Sequence, residues 1–281
     1  MKTNSLLINL NSRLVDLSVP VVMGIVNVTP DSFFAGNRFV TDKSILLAVE
    51  KMVLEGAGII DIGGYSTRPL AEPVTQDEEI RRVSQGLEVI LKKYPDVAIS
   101  VDTFRSGVAR HVVHNFGVAM INDVSGGTLD DLMFETIADL KVAYVLMHMR
   151  GTPQTMQTNL KYEDVVSEVL HFLAKRLAQL HLLGVTDVVV DPGFGFAKTI
   201  DQNFKLLNKL EYFQQLNVPI LAGFSRKSML TKTLGIDANN ALNATTAANM
   251  LALMGGASLL RVHDVKEAMQ TISIYQKNLE N

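Results

Sequence analysis

Along most of the chain, short apolar runs alternate with longer stretches in which apolar positions recur at helical spacing. The apolar runs are Val21–Val28, Ile59–Ile62, Ala98–Val101, Ala119–Asn122, Ala143–Met147, Asp187–Val190, Ile220–Ala222 and Leu259–Val262. They are nearly continuous rather than alternating, as in a parallel sheet buried on both faces. Helical spacing occupies Lys43–Glu55, Gln76–Lys93, Ser106–Asn115, Asp130–Asp139, Tyr162–Leu183, Asp201–Gln215, Asn240–Met254 and Val265–Asn278. The pattern therefore predicts eight strands and eight helices. Asn27 and Arg261, near the ends of the first and last strands, are 234 residues apart. Over seven units that is about 33 residues each, roughly the length of a βαβ crossover.

Eight such units in about 250 residues predict a TIM (β/α)8 barrel. An open doubly wound sheet shares the alternation and is the competing architecture. No linker-like stretch or shift of composition divides residues 1–281, so they read as a single domain. Residues 6–19, LLINLNSRLVDLSV, predict a short N-terminal β-hairpin that turns at Asn11-Ser12 and covers the N-terminal mouth of the barrel.

Polar residues gather where the predicted strands end. Asn27 lies in the first strand end, with Thr29-Pro30-Asp31-Ser32 beyond it, and the second strand contains Asp61 and runs into Gly63-Gly64-Tyr65-Ser66-Thr67-Arg68-Pro69. The following ends supply Asp102-Thr103, Asn122-Asp123, His148-Met149-Arg150, Asp191-Pro192-Gly193-Phe194-Gly195-Phe196, Gly223-Phe224-Ser225-Arg226-Lys227-Ser228 and Arg261-Val262-His263-Asp264. A barrel brings all eight ends to one face, where binding loops sit. One Asp after a strand is more often a turn former or helix cap than a catalyst; the joint convergence is what points to a site. Arg68, Lys227, Arg261 and His263, with hydroxyls from Ser66, Thr67 and Ser225, suit a phosphate or diphosphate. Asp102, Asn122 and Asp191 form a separate acceptor-rich set. It suits a flat donor edge such as the 2-amino-4-oxo edge of a pterin or guanine.

Composition narrows the choices. The 281 residues carry 26 Lys plus Arg against 29 Asp plus Glu, a net charge of −3, which argues against a nucleic-acid partner. The absence of cysteine excludes disulfides, thiolate metal sites and a cysteine nucleophile. The start, MKTNSLLINLNSRL, has its apolar run broken by Asn9 and Asn11 and does not read as a signal peptide. Ala247–Leu260 is interrupted by Asn249, Gly255 and Gly256 and is too short to span a bilayer. A cytoplasmic soluble protein without membrane partners is expected.

Scans for other chemistry return little. Gly193-Phe194-Gly195 continues to Lys198 rather than Gly, no phosphate-binding P-loop occurs, and Gly223-Phe224-Ser225-Arg226-Lys227 lacks the closing Gly of a nucleophile elbow. His111 and His114 read as a solvated helix face, and Met250 and Met254 as core. Phe33 and Phe34, two loop aromatics at the active face, read as a cover for a ring.

These residues resemble the dihydropteroate synthase family. Met23-Gly24-Ile25-Val26-Asn27-Val28-Thr29-Pro30-Asp31-Ser32-Phe33 is similar to its first signature. Asp61-Ile62-Gly63-Gly64 with Ser66-Thr67-Arg68-Pro69 is similar to its second. Six further motifs follow in order, among them Ser100-Val101-Asp102-Thr103, Asp191-Pro192-Gly193-Phe194-Gly195-Phe196 and Arg261-Val262-His263-Asp264, so the resemblance covers about residues 20–275. It implies condensation of p-aminobenzoate with 6-hydroxymethyl-7,8-dihydropterin diphosphate in folate biosynthesis, a TIM barrel, Mg²⁺ used with the diphosphate, and a homodimer packed through late helices.

Carried over residue by residue, the resemblance assigns the pterin to Asp102, Asn122, Asp191 and Lys227, with Met147 and Phe196 lining its pocket. Arg261 would stack on the pterin and touch diphosphate. Asn27 and His263 match the diphosphate site, with Asn27 a Mg²⁺ ligand. Thr67, Arg68, Pro69 and Ser228 match the p-aminobenzoate pocket. The candidate catalytic set is thus Asn27, Arg68, Lys227, Arg261 and His263, and Gly223 and Phe33 complete the substrate-binding set. The chain departs from the family in two places. Phe34-Ala35-Gly36-Asn37 replaces Ser-Asp-Gly-Gly, and Tyr65 stands where the family usually has Glu. The alternatives are a pterin-binding methyltransferase barrel, which would not need Arg68 or its loop, and a non-catalytic relative. The latter should have lost some of Asp102, Asn122, Asp191, Lys227 or Arg261.

Overall fold

The computed structural model describes residues 6–28, 42–66, 73–158 and 160–280. It begins with an antiparallel hairpin, β1 (Leu7–Leu10) and β2 (Arg13–Asp16), joined as expected through Asn11 and Ser12. Both turn residues are left-handed, with φ of 51° and 63°. A two-residue turn of that hand matches the natural twist of the paired strands. The hairpin is tied to the rest of the chain by Asn9 N, which donates to Asp187 Oδ1 at 2.7 Å, and by Asn11 Nδ2, which donates to Gly117 O at 2.5 Å.

Eight parallel strands follow: β3 (Val21–Asn27), β4 (Ile59–Gly63), β5 (Ala98–Asp102), β6 (Met120–Asp123), β7 (Ala143–Met147), β8 (Val188–Asp191), β9 (Leu221–Ala222) and β10 (Leu259–Val262). Their order, β8-β7-β6-β5-β4-β3-β10-β9, nearly closes into a barrel. A parallel bridge between Val190 and Ile220 joins the two ends, with Val190 N donating to Pro219 O at 2.9 Å. The barrel was the predicted architecture; the open sheet is excluded by this closure.

Pleating sends alternate residues in and out. Outward side chains, such as Ile60, Ile62, Val101, Ile121, Tyr144 and Val190, pack in one large core with the helices. Inward ones from the strand starts, including Met23, Ile59, Met120, Ala143, Val145, Val189, Leu221 and Leu259, form a second core. Ile8, Leu10 and Leu17 of the hairpin belong to that second core, so the hairpin covers the N-terminal mouth as expected.

The helices among the described residues are α1 (Asp42–Leu54), α2 (Gln76–Lys93), α3 (Ser106–Phe116), α4 (Met133–Leu140), α5 (Val165–Leu182), α6 (Ile200–Asn208), α7 (Ser228–Leu234), α8 (Leu242–Met254) and α9 (Val265–Leu279). Their starts follow capping chemistry. Thr75 Oγ1 accepts from Glu78 N at 3.3 Å at the head of α2, and Asp164 Oδ2 accepts from Ser167 N at 3.2 Å at the head of α5. Thr199 and Gln202 form a reciprocal capping box on α6.

Three details differ from the predicted pattern. The helix expected over Asp201–Gln215 divides into α6 and a tighter 3-10 segment, Leu210–Leu216. The additional α7 lies between β9 and α8. Met254 is 67% exposed rather than core, and Leu251 beside it is 53% exposed. In addition, His111 is half-buried and shares a 3.0 Å hydrogen bond with Ser84 Oγ, while His114 is exposed.

Candidate active site

A step of two residues along several strands crosses from the apolar floor of the barrel into a polar mouth. Ile59 is followed inward by Asp61, Met120 by Asn122, Val189 by Asp191 and Leu259 by Arg261. On β5 the inward residues run Ala98, Ser100, Asp102. Asp61, Asp102, Asn122 and Asp191 are all buried. Carboxylates are seldom buried without a partner. Here the partner is Arg261, whose Nε donates to Asp61 Oδ2 at 2.6 Å and whose Nη2 donates to Asp102 Oδ2 at 2.9 Å. Asn122 Nδ2 donates to the same Asp61 oxygen at 3.0 Å. The cationic and acceptor sets that sequence separated are therefore interleaved, with a guanidinium standing among the acids.

Burial raises the Asp102 carboxyl to about 7, against the pull of Arg261. Asp191 is likewise raised by burial, opposed chiefly by Lys227. Its Oδ1 accepts from Gly193 N at 2.7 Å. Gly193 is left-handed, with φ of +72°, and a Cβ there would stand 2.1 Å from His148 O. Only glycine fits, which accounts for the Asp-Pro-Gly sequence at this strand end.

Lys227, just before α7, is half-buried; burial lowers its amine to about 8, and Asp191 partly opposes that shift. Its Nζ donates to Phe194 O at 2.5 Å and lies 4.7 Å from the centre of the Phe196 ring. Gly223 faces this group, with room for a Cβ only at contact distance from Arg261 Cβ and Lys227 Nζ. Met147 is buried in a small apolar cluster with Val124, Met149, Met156 and Ala197, against which Phe196 packs. That cluster forms an apolar wall beside the acids.

Asn27 ends β3, and a Cβ on Gly63 would lie 3.5 Å from both Asn27 Oδ1 and Asp102 Cβ, so Asn27 stands at the edge of the same mouth. His263 Nδ1 shares a 2.9 Å hydrogen bond with Ser225 Oγ, joining the ends of β9 and β10. Ser228 is exposed as the first residue of α7. Phe33, Phe34, Ala35, Thr67, Arg68 and Pro69 lie outside the described residues. At the other departure from the family, Tyr65 is buried; its hydroxyl accepts from Gln154 Nε2 at 2.6 Å, and its ring stands edge-on to Phe104 at 5.2 Å.

Two residues of this region went unassigned in the sequence. Asp61 had a signal, a carboxylate in the middle of an apolar strand. Lys198 had none, because a lysine after a loop reads as surface. It is buried, and its Nζ donates to Gly193 O and Phe196 O at 2.9 Å each and to His148 Nδ1 at 3.1 Å. Burial lowers Lys198 to about 7 and keeps His148 well below its ordinary value. The buried amine thus pins the loop that carries Asp191 and Phe196. Among the described residues, no cluster of three or more His, Cys, Asp or Glu could hold a metal by itself.

The arrangement can read a planar donor edge and hold an anion beside it. Comparison with known proteins agrees. Residues 23–263 match the family model described as pterin binding enzyme. The chain is 41% identical over 268 residues to the dihydropteroate synthase of Haemophilus influenzae, covering 95% of this chain and 96% of that one. A Yersinia pestis dihydropteroate synthase solved as a sulfonamide drug complex superposes with a TM-score of 0.92 at 34% identity, covering 98% of this chain and 100% of that one. A Xanthomonas albilineans dihydropteroate synthase with 4-aminobenzoic acid gives a TM-score of 0.90 at 37% identity, covering 99% and 100%.

Proposed function

The chain belongs to the pterin-binding enzymes and, within them, to the dihydropteroate synthases, and from that premise we propose how its residues divide the work. It is a transferase of folate biosynthesis that joins p-aminobenzoate to 6-hydroxymethyl-7,8-dihydropterin diphosphate, releasing diphosphate and 7,8-dihydropteroate. We read residues 1–281 as one domain serving this reaction.

The observation that carries the assignment of roles is the Arg261 guanidinium gripped by Asp61 and Asp102 inside a mouth of buried acceptors. Asp191 accepts from the amino and ring N–H groups of the pterin, with Asp102 and Asn122 completing the acceptor floor. Met147 and Phe196 contact the flat ring, Gly223 leaves it room, and Lys227 adds a positive charge at its edge. Arg261 stacks on the ring and reaches toward the diphosphate, a use to which a planar guanidinium is suited. His263 and Asn27 complete the diphosphate end. Thr67, Arg68, Pro69 and Ser228 hold p-aminobenzoate, with Phe33 as cover; the same pocket makes the chain a sulfonamide target.

No protein nucleophile is required. Diphosphate departs from the exocyclic methylene, the electron-rich pterin spreads the resulting positive charge, and the arylamine nitrogen attacks that carbon and then loses its extra proton to solvent. The cationic side chains favour the charge that develops on the leaving group. Holding both substrates in register contributes by effective molarity, about 7–11 kcal/mol at best. Keeping water from the cation is the remaining task of the mouth.

The donor set fits Mg²⁺. Asn27 offers a hard carbonyl oxygen at the edge of the mouth, and Mg²⁺ commonly takes one or two protein oxygens together with substrate phosphate oxygens and water. When bound, the ion neutralises charge on the departing diphosphate. A homodimer packed through the late helices is supported by Leu251 and Met254 of α8 and Ile274 of α9, all more than half exposed. We read the setting as cytoplasmic; no described helix is long and apolar enough to cross a membrane.

Arg261→Ala tests the assignment. Its affinity for both free pterin and free diphosphate should fall in titration calorimetry, and its turnover should fall with them. Full turnover would remove the dual role of Arg261.

A further inference from the structure

We propose that Asp61 is a positioning residue that sets which end of the Asn122 amide faces the pterin. Asp61 lies in the middle of β4, fully buried on the inward face, paired in register with Ile25 and Ser100. Nothing in the reaction requires it to touch substrate. What it touches are two residues that do: its Oδ2 receives Arg261 Nε at 2.6 Å and Asn122 Nδ2 at 3.0 Å. The inference therefore rests on the reading of Asn122 as a pterin contact.

An asparagine amide has one accepting end and one donating end, and which is shown outward depends on what holds the other. Asp61 Oδ2 already accepts from a guanidinium, so the end of Asn122 that meets it is the NH₂. The Asn122 carbonyl is left for the ligand. Asn122 thereby becomes a third acceptor beside Asp102 and Asp191, matched to the N–H donors of the 2-amino-4-oxo edge. Without the Asp61 oxygen, the amide could turn and present a donor to a donor.

Stability does not account for this carboxylate. Its second oxygen, Oδ1, is buried and has no hydrogen-bond partner among the described residues. A half-satisfied buried carboxylate costs the folded state. Asparagine at position 61 could still accept from Arg261 Nε, while Arg261 Nη2 keeps its bond to Asp102.

The test is a pair of substitutions at position 61, read by calorimetric titration with the pterin diphosphate and by thermal melting. Asp61→Leu removes the oxygen that holds the Asn122 NH₂ and should bind about 30-fold more weakly, an effect in the range of coupling between contacting residues. Asp61→Asn keeps a carbonyl oxygen able to accept from both Arg261 Nε and Asn122 Nδ2 and should stay within about 5-fold of wild type. Asn122→Asp should also bind weakly, because two carboxylates then face each other. In the Asn122→Ala background, Asp61→Leu should add little further loss. Wild-type binding by Asp61→Leu, or an undiminished loss from it in the Asn122→Ala background, would overturn the inference. Should Asp61→Leu fail to fold, wild-type binding by Asn122→Asp would overturn it instead. Asn122→Ala separates the two levels of reading: wild-type affinity there would remove Asn122 as a pterin contact, whereas a weak Asn122→Ala beside a wild-type Asp61→Leu would overturn only the role of Asp61.

Discussion

In the lower half of the barrel interior, Met23, Ile59, Met120, Val189 and Leu259 close against one another and against Ile8, Leu10 and Leu17 of the hairpin. In the upper half, two residues further along four of those strands, stand Asp61, Asn122, Asp191 and Arg261: Asp61 accepts from both Asn122 and Arg261, and burial raises the Asp191 carboxyl. The same backbone supplies both. A strand of four or five residues has two or three inward positions, and in β4, β6, β8 and β10 the first apolar one packs in the floor while the next is polar and faces the mouth. Cohesion therefore belongs to the floor and chemistry to the mouth. Substitutions in the two halves should move different observables.

The floor gives the largest expected effect on stability. Met120→Ala removes a fully buried side chain beneath Asn122 and should cost about 2–5 kcal/mol in denaturant unfolding. Its turnover at low temperature should stay near wild type. A large loss of turnover without loss of stability would break the division.

The mouth should reveal itself through pH. Burial raises Asp102 to about 7, so below that value the carboxyl gains a proton and is lost as an ionic acceptor. Burial lowers Lys227 to about 8, so above that value its positive charge is lost. The kcat/KM for the pterin diphosphate should therefore be bell-shaped, falling below about 7 and above about 8. Lys227→Arg, whose charge persists, should flatten the alkaline limb. Met120→Ala should leave both limbs where they are.

The smallest effect is at the hairpin turn. Ser12 has a left-handed φ of 63°, which glycine adopts without penalty. Ser12→Gly should stabilise the protein by about 0.5–1 kcal/mol, seen as a higher Tm, with kcat unchanged.

How far each half was legible follows from its physics. The floor and the outer core appear in sequence as apolar runs, because burial on both faces demands them, and the hairpin turn is marked by Asn11-Ser12. Strand-end residues such as Asp102, Asn122 and Asp191 were legible because a polar group closing an apolar run has few other reasons to be there. Lys198 was not, since its partners are backbone carbonyls brought near by the Gly193 turn. Asp61 was visible as an intruder in β4, but its bond to Asn122 on β6 passes over the intervening β5 and cannot be read from spacing. The break between α6 and the 3-10 segment falls at Lys209, where the apolar period itself is uninterrupted. Met254 misled for a related reason: periodicity marks an apolar face without saying whether this chain covers it.

The division of the interior stands or falls with Asp191, which is buried, raised by burial and assigned by the proposal above to the pterin. The direct measurement is calorimetric titration of Asp191→Asn with the pterin diphosphate, run beside a thermal melt of the same sample. The account predicts an affinity lower by a factor on the order of 10⁴, as for a site whose buried acceptor is replaced, with little change in Tm. Near-wild-type affinity, or a collapse of the melt with binding intact in the folded fraction, would contradict it.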